Sequence, residues 1–177
     1  MSNPQNEKKI HEIANPVIGL TYKPSNIAEK GTIVLRSGNI QEGELCLKSD
    51  IVRVAGVKIP GNKFIRPNDI LMCSRNGSAK LVGKSCLITK PIETMSFGAF
   101  MTIVRTKFPY FLQSFFNSGY FKEQLTGTAT TSVNQITSGM LNEYTVIEPT
   151  EAEEILFSSF VQQIDKSKFV YHSRYFL

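Results

Sequence analysis

The stretch DILMCSRNGSAKLVGKSCLI (Asp69–Ile88) decides the fold. Two apolar runs, Asp69–Ser74 and Leu81–Thr89, flank the basic segment Arg75–Lys80. Its Asn76-Gly77 pair is a strong hairpin signal, so the stretch reads as two strands joined by a tight basic turn. Working outward, Gly31–Arg36 (GTIVLR) is a β-branched run bounded by glycine, hence a strand, and Ser37-Gly38-Asn39 then turns the chain. Gly43–Val54 and Val57–Ile59 read as further short strands, and Phe97–Arg105 as another. Upstream, Glu7–Ile13 reads as a short helix ended by Asn15-Pro16.

Downstream the period changes. Pro109 suits the first position of a helix and opens PYFLQSFFNSGYFKEQL. Phe111, Leu112, Phe115, Phe116, Tyr120 and Phe121 recur there at helical spacing, as a core-facing stripe does. The segment GTATTSVNQIT (Gly127–Thr137) is a polar loop. It leads into EYTVIEPTEAEEILFSSFVQQIDKSKF (Glu143–Phe169). Within it Tyr144–Ile147 is a short strand stopped by Pro149. Thr150 then caps a helix, and Glu153 three residues on completes a capping box. Ile155, Leu156, Phe157, Phe160, Val161, Ile164 and Phe169 form a broad apolar stripe. That stripe is wider than one flank of a small domain needs, so part of it is expected to seek another helix. The fold class is α+β: a twisted, largely antiparallel sheet with helices, followed by a protruding helix.

A chain of 177 residues is one domain, or one domain with an appendage. No apolar run approaches the ~18 residues that span a membrane. The opening MSNPQNEKKIHEIANP lacks the apolar core of a signal peptide, and a cytoplasmic protein is the expectation. Cys46, Cys73 and Cys86 are odd in number, lie in strand-like runs and form no CxxC pair, which fits buried free thiols. Charge is unevenly spread. Arg53, Lys58, Lys63, Arg66, Arg75, Lys80 and Lys84 are seven bases in a segment whose one acid is Asp69, a local balance of +6. Glu143, Glu148, Glu151, Glu153, Glu154 and Asp165 follow with no base among them. Clustered bases are the electrostatic footprint of polyanion binding, because each phosphate contact releases counterions. The acids of the last helix read as a solvated face that complements the helix dipole.

Motifs for chemistry are scarce. Gly77…Gly83-Lys84-Ser85 has five residues between its glycines where a P-loop has four, and it lies within a hairpin. The two histidines, His11 and His172, sit near opposite ends, which leaves a triad, a zinc site or a cysteine nucleophile without a partner. There is no Asn-Pro-Pro-aromatic motif and no nuclease carboxylate cluster, so no catalytic and no metal-ligating residue is assigned. The polar turns instead carry side chains that read base edges and phosphates. Arg36, Ser37 and Asn39 form one set, Arg75, Asn76, Ser78, Lys80 and Lys84 a second, and Thr130, Thr131, Ser132, Asn134 and Gln135 a third. Such residues also simply build turns. Asn39, Asn134 and Gln135 are the expected adenine readers.

In order and spacing, the basic strand pair, the Gly/Thr-rich loop and the capped helix resemble the specificity subunit of type I restriction-modification enzymes, from about Gly19 to Phe169. The resemblance implies one DNA target recognition domain, Met1–Pro149, a spacer helix, Thr150–Phe169, and a tail, Val170–Leu177, that matches nothing in the family. Family members usually hold two such domains and two helices, which pack as an antiparallel coiled coil and set the distance between two half-sites. This chain then looks like a half-size subunit. The resemblance implies no catalysis and no cofactor of its own: S-adenosylmethionine, ATP and magnesium would belong to the methyltransferase and restriction partner subunits. Double-stranded DNA would be the ligand. A homodimer through Leu156, Phe157, Phe160, Val161 and Ile164 would restore the second half. Two alternatives stand beside it: a small DNA- or nucleotide-acting hydrolase, and a helix-mediated interaction module.

Overall fold

The computed structural model describes residues 6–91, 93–127 and 134–175, with side chains in the last helix described as far as 164. In chain order the elements are β1 (Glu7–Lys9), α1 (Ile10–Ile13), β2 (Ala14–Ile18), β3 (Ile27–Leu35), β4 (Ile40–Gln41), β5 (Glu44–Leu45), β6 (Arg53–Val54), β7 (Asp69–Cys73), β8 (Ser85–Ile88), β9 (Met95–Phe97), β10 (Met101–Thr106), α2 (Pro109–Asn117), α3 (Gly119–Gly127), α4 (Ser138–Glu143), β11 (Thr145–Ile147) and α5 (Glu151–Tyr175).

Strand β7 explains why Asp69–Cys73 is apolar without alternation. It lies inside an antiparallel sheet of order β2-β10-β7-β8 and is buried at every residue. Successive side chains of a strand point to opposite faces. Ile70 and Met72 therefore join a core layer with Leu112, Phe116, Phe121 and Leu141 from the helices. Leu71 and Cys73 join the opposite layer with Ile33, Leu35, Met95 and Phe97. The second layer is closed by a smaller sheet, β6-β3-β9, in which β3 and β9 run parallel. A strand covered on both faces reads as an unbroken apolar run. The aromatic cluster of Phe115, Phe116, Phe121 and Tyr144, with centroids 5.1–5.5 Å apart, fills the helical side. The class is mixed helix and sheet with largely antiparallel pairing, as the sequence implies.

Several expected boundaries move. Phe97–Arg105 is two strands in two sheets, because Gly98 turns the chain between them. The Gly98 N–H donates to Leu35 O at 2.9 Å, and a Cβ on the facing Gly19 would stand 2.0 Å from Gly98 O. Of the expected helix Glu7–Ile13, Glu7–Lys9 is strand β1 and only Ile10–Ile13 is helical, and the Asn15-Pro16 pair just beyond its end enters β2. Pro16 sits in β2 at the sheet edge, where its missing N–H costs no ladder bond. Residues 57–59 form no strand, and α4 arises just past the expected polar loop Gly127–Thr137, capped by the Thr137 hydroxyl accepting from Met140 N at 3.1 Å. The β7–β8 connection is not a two-residue turn. Asn76 spends its amide elsewhere, a short 3-10 turn forms at Ala79–Leu81, and the left-handed residue is Gly83 (φ 86°), not Gly77.

Helix α5 starts with the expected capping box. The Thr150 N–H and hydroxyl donate to Glu153 Oε2 at 2.7 and 2.8 Å, and the Glu153 N–H returns to Thr150 Oγ1 at 3.2 Å. The helix runs on to Tyr175, past the expected end at Phe169. Its first turns dock on α2. Glu154, only 7% exposed, accepts from the Tyr110 and Phe111 N–H groups at 2.9 and 3.1 Å. These are orphan donors in the first turn of a helix that begins at Pro109. Phe157 meets Phe111 edge-on at 6.1 Å, and Gln162 Nε2 donates to the Tyr110 hydroxyl at 2.9 Å. Glu154 thus departs from the solvated face expected of it: an adjacent helix end offers two donors that water would otherwise have to serve.

Candidate nucleic-acid interface

The three polar turns come together. The Arg36–Asn39 turn meets the β7–β8 connection through Asn76, whose Nδ2 donates to Ser37 Oγ at 3.1 Å. The third segment joins the same connection through its backbone. Arg75 pairs with Gln135 in an antiparallel bridge, Asn76 N donates to Asn134 O at 3.3 Å, and Ile136 N donates to Ser74 O at 2.7 Å. A fourth piece joins them: the carbonyl of Phe100, in the β9–β10 turn, accepts from Ser74 N, Arg75 N and Ser74 Oγ at 3.0–3.1 Å. Residues from four distant stretches therefore share one cluster, three of them joined through backbone and the Arg36–Asn39 turn through the Asn76–Ser37 side-chain bond. The sequence marks the fourth piece only indirectly, through Gly98 inside a strand-like run, which signals a close backbone approach.

The candidate residues divide by what their side chains do. Arg75, Lys80, Ser78, Asn134 and Gln135 are exposed, and Lys84 is half-buried. Among the described residues no carboxylate pairs with Arg75, Lys80 or Lys84. The Arg75 guanidinium lies over the Phe100 ring, 5.3 Å from its centroid, and Phe100 is 58% exposed. Phe100 was not among the expected site residues, having been assigned to a strand interior. Arg36 is committed to an ion pair with Asp50, so its charge is largely balanced. Ser37 accepts from Asn76, and Asn76 Oδ1 accepts from the Ser78 N–H at 3.0 Å, so both tie loops rather than face solvent.

Asn39 is a correction. It is 0% exposed, its Oδ1 accepts from Arg36 N at 2.8 Å, and its Nδ2 donates to Cys46 O and Ser49 O at 3.3 and 3.5 Å. A buried amide must satisfy its polar atoms internally, and this one does so by holding the turn; it presents nothing to a base. Thr130, Thr131 and Ser132 lie outside the described residues. Phe157 is a second correction: it packs on α2, leaving Leu156 (72% exposed), Phe160 (60%) and Ile164 as the outward apolar row, with Val161 half-buried.

The basic segment is also trimmed by pairing. Arg53 binds Glu93 at 2.8 and 3.1 Å, and Asp69 is clamped by Arg105 at 2.8 and 3.0 Å. What remains near the loop cluster is the set Arg75, Lys80 and Lys84. Burial pushes the Cys73 thiol up and the Cys86 thiol up to about 12, so both stay protonated at neutral pH and lack thiolate character. Among the described residues no three of His, Cys, Asp and Glu gather into a metal-binding group, and no helix is long and apolar enough to cross a membrane.

The sheet lies between helices and a smaller sheet, with polar loops gathered on it and a helix leaving its end, and this arrangement has counterparts among solved structures. The fold matches a chain from a structural study of complex assembly and conformational transition of the type I R-M system, at TM-score 0.69 and 15% identity over 94% of this chain and 40% of that one. It also matches the HsdS subunit from Thermoanaerobacter tengcongensis, at TM-score 0.65 and 12% identity over 99% and 41%. In sequence, the chain is 26% identical over 171 residues to the type I restriction enzyme StySPI specificity subunit of Salmonella potsdam and 25% identical to the EcoKI specificity subunit of Escherichia coli K12. Each alignment covers 90% of this chain and 36% of the relative, so the chain spans little more than a third of their length. No protein-family model matches. The resemblance read from the sequence therefore holds in sequence and in fold.

Proposed function

We propose that this chain reads duplex DNA as the recognition element of a type I restriction-modification specificity subunit. It contributes no catalytic residue and directs methyltransferase and restriction subunits to one half of a split target. The observation that carries the reading is the convergence of the polar turns, with Arg75, Lys80 and Lys84 beside them and no carboxylate partner for these three among the described residues, on a chain whose relatives are specificity subunits. S-adenosylmethionine, ATP and magnesium are then held by the partner subunits, and the complex works in the cytoplasm. Binding titrations against duplex DNA at several salt concentrations test this. A linear fall of log affinity with log salt is expected, with sequence preference superimposed on it. A parent protein that binds no duplex at low salt overturns the reading.

Helix α5 supplies the second half. Its docking on α2 leaves Leu156, Phe160 and Ile164 in solvent at a spacing of four residues, a row that suits helix pairing. Antiparallel pairing of two copies through this row makes a two-fold dimer that reads a symmetric split target. Sedimentation should show a dimer for the parent and a monomer for Phe160→Glu. A monomeric parent at high micromolar concentration sinks the self-pairing and leaves α5 to a partner subunit.

A further inference from the structure

We propose that Phe100 is a positioning residue for base reading: its ring, which the Arg75 guanidinium overlies, holds that group toward the O6 and N7 edge of a guanine in the major groove. The inference rests on the DNA-binding reading above.

Three observations carry it. The first is how Arg75 differs from other arginines of the chain. Arg36, Arg53 and Arg105 each reach a carboxylate, on Asp50, Glu93 and Asp69. Arg75 has an aromatic face instead, at 5.3 Å. A ring under the guanidinium plane attracts the charge through its π electrons and leaves the in-plane N–H donors unspent. Those donors form a fork that matches the paired acceptors of guanine.

The second is rigidity. The Arg75 N–H donates to Phe100 O, the Arg75 carbonyl accepts from Cys73 Sγ at 3.5 Å, and the residue bridges to Gln135. The Phe100 carbonyl accepts three hydrogen bonds. Both side chains thus start from fixed backbone, and the guanidinium lies over the ring, 5.3 Å from its centroid, with no ligand present. Preorganisation of this kind lowers the ordering cost of binding. The third is exposure. Phe100 keeps more than half of its surface in water, although the core layers below take up Met95, Phe97, Met101, Ile103 and Val104 of the flanking strands β9 and β10. The core is filled without this ring, which leaves it available at the surface beside Arg75.

The test uses the full chain and a duplex selected with it from a random library. Each guanine is replaced in turn by 7-deazaguanine, which keeps pairing and removes the N7 acceptor. For the parent, one guanine should be sensitive, with a loss of roughly five- to a hundredfold, the range of a bidentate base contact. Phe100→Ala should weaken binding to the unmodified duplex and shrink the deaza penalty at that guanine to about twofold or less. Arg75→Lys, which keeps charge and loses the fork, should do the same. Phe100→Trp, which keeps a face, should restore it. The salt slope of Phe100→Ala should equal that of the parent, because no charge is removed, and its melting temperature should not move. A deaza penalty of parental size in Phe100→Ala overturns the inference, as does a parent with no sensitive guanine, which still leaves DNA binding standing. A parent that binds no duplex overturns the reading underneath.

Discussion

The loop cluster and the root of α5 are both polar seats on the same core, and they are held in opposite ways. In the cluster the backbone does the holding. Ser74, Arg75, Asn76, Asn134, Gln135 and Phe100 are joined through main-chain N–H and C=O groups, with Asn76 and Ser37 as the side-chain link. At the root of α5 side chains do it: one buried carboxylate, one aromatic edge and one Gln–Tyr bond. A backbone-held site frees its outward side chains to change without loss of fold. A side-chain-held joint ties geometry to the identity of each residue. The loop cluster and the last helix thus differ in their tolerance to substitution.

The largest expected effect tests the first half of that contrast. Changing Arg75, Lys80 and Lys84 together to alanine should lower the salt slope of DNA binding by about two units, one for each lysine at a phosphate, and relax preference at the guanine that Arg75 reads. Thermal unfolding should not change, since no described residue pairs with them through a carboxylate. A large loss of melting temperature would show that the cluster depends on these side chains after all.

Asn39→Ala probes the exception inside the same cluster. Removing its amide leaves the Arg36 N–H and two carbonyls short of partners, at a cost of about 1–3 kcal/mol in urea unfolding. Base preference, measured on a selected duplex, should stay unchanged. Gln135→Ala should behave inversely, with normal stability and relaxed preference at one base position.

Glu154→Ala tests the joint. The Tyr110 and Phe111 N–H groups lose their acceptor, for a cost of about 1–3 kcal/mol. Hydrogen exchange at those two amides should speed up, while the amides of β7 keep their protection. Faster exchange in β7 as well would mean that α5 is part of the central folding unit rather than docked upon it.

The smallest effect is a pH dependence that sets neighbours against each other. The Thr150 N–H holds the Glu153 carboxyl below the usual glutamate range, whereas burial pushes that of Glu154 up, outweighing the pull of the Tyr110 and Phe111 amides. Glu153 binds its proton more weakly folded than unfolded, so its contribution is present above about pH 4.3 and is lost as pH falls through the folded value. Glu154 binds its proton more tightly folded, so its contribution is fully present below that range and declines as pH rises through the raised value. Subtracting unfolding free energies of Glu154→Gln from those of the parent removes the Glu153 part. The difference should favour the parent progressively more from neutral pH toward about pH 4–5. A flat difference would break the contrast between the two residues.

Much of this was legible in the sequence because it depends on near neighbours. The capping box at Thr150 and Glu153 is a three-residue relationship, and it formed as read. The strand pair around Arg75 and the aromatic stripe of α2 follow from local period and composition. The errors occurred where a residue's partner is far away in the chain. Asn39 looks like any turn asparagine until Cys46 and Ser49 fold over it. Glu154 looks like any acid in a first helical turn until α2 presents its N-terminus. Phe100 looks like a strand residue until Gly98 crosses Gly19 and turns it outward.

The amino-acid sequence by itself determined the α+β class, the basic centre of the chain and the apolar stripe of the last helix. Each of these follows from side-chain type and spacing, which act over one or two turns of backbone. Only the tertiary structure decided which polar residues face outward. That choice depends on where the competing donors and acceptors end up. Arg36 found a carboxylate and Asn76 found a hydroxyl, while Arg75 found a ring and, among the described residues, no carboxylate.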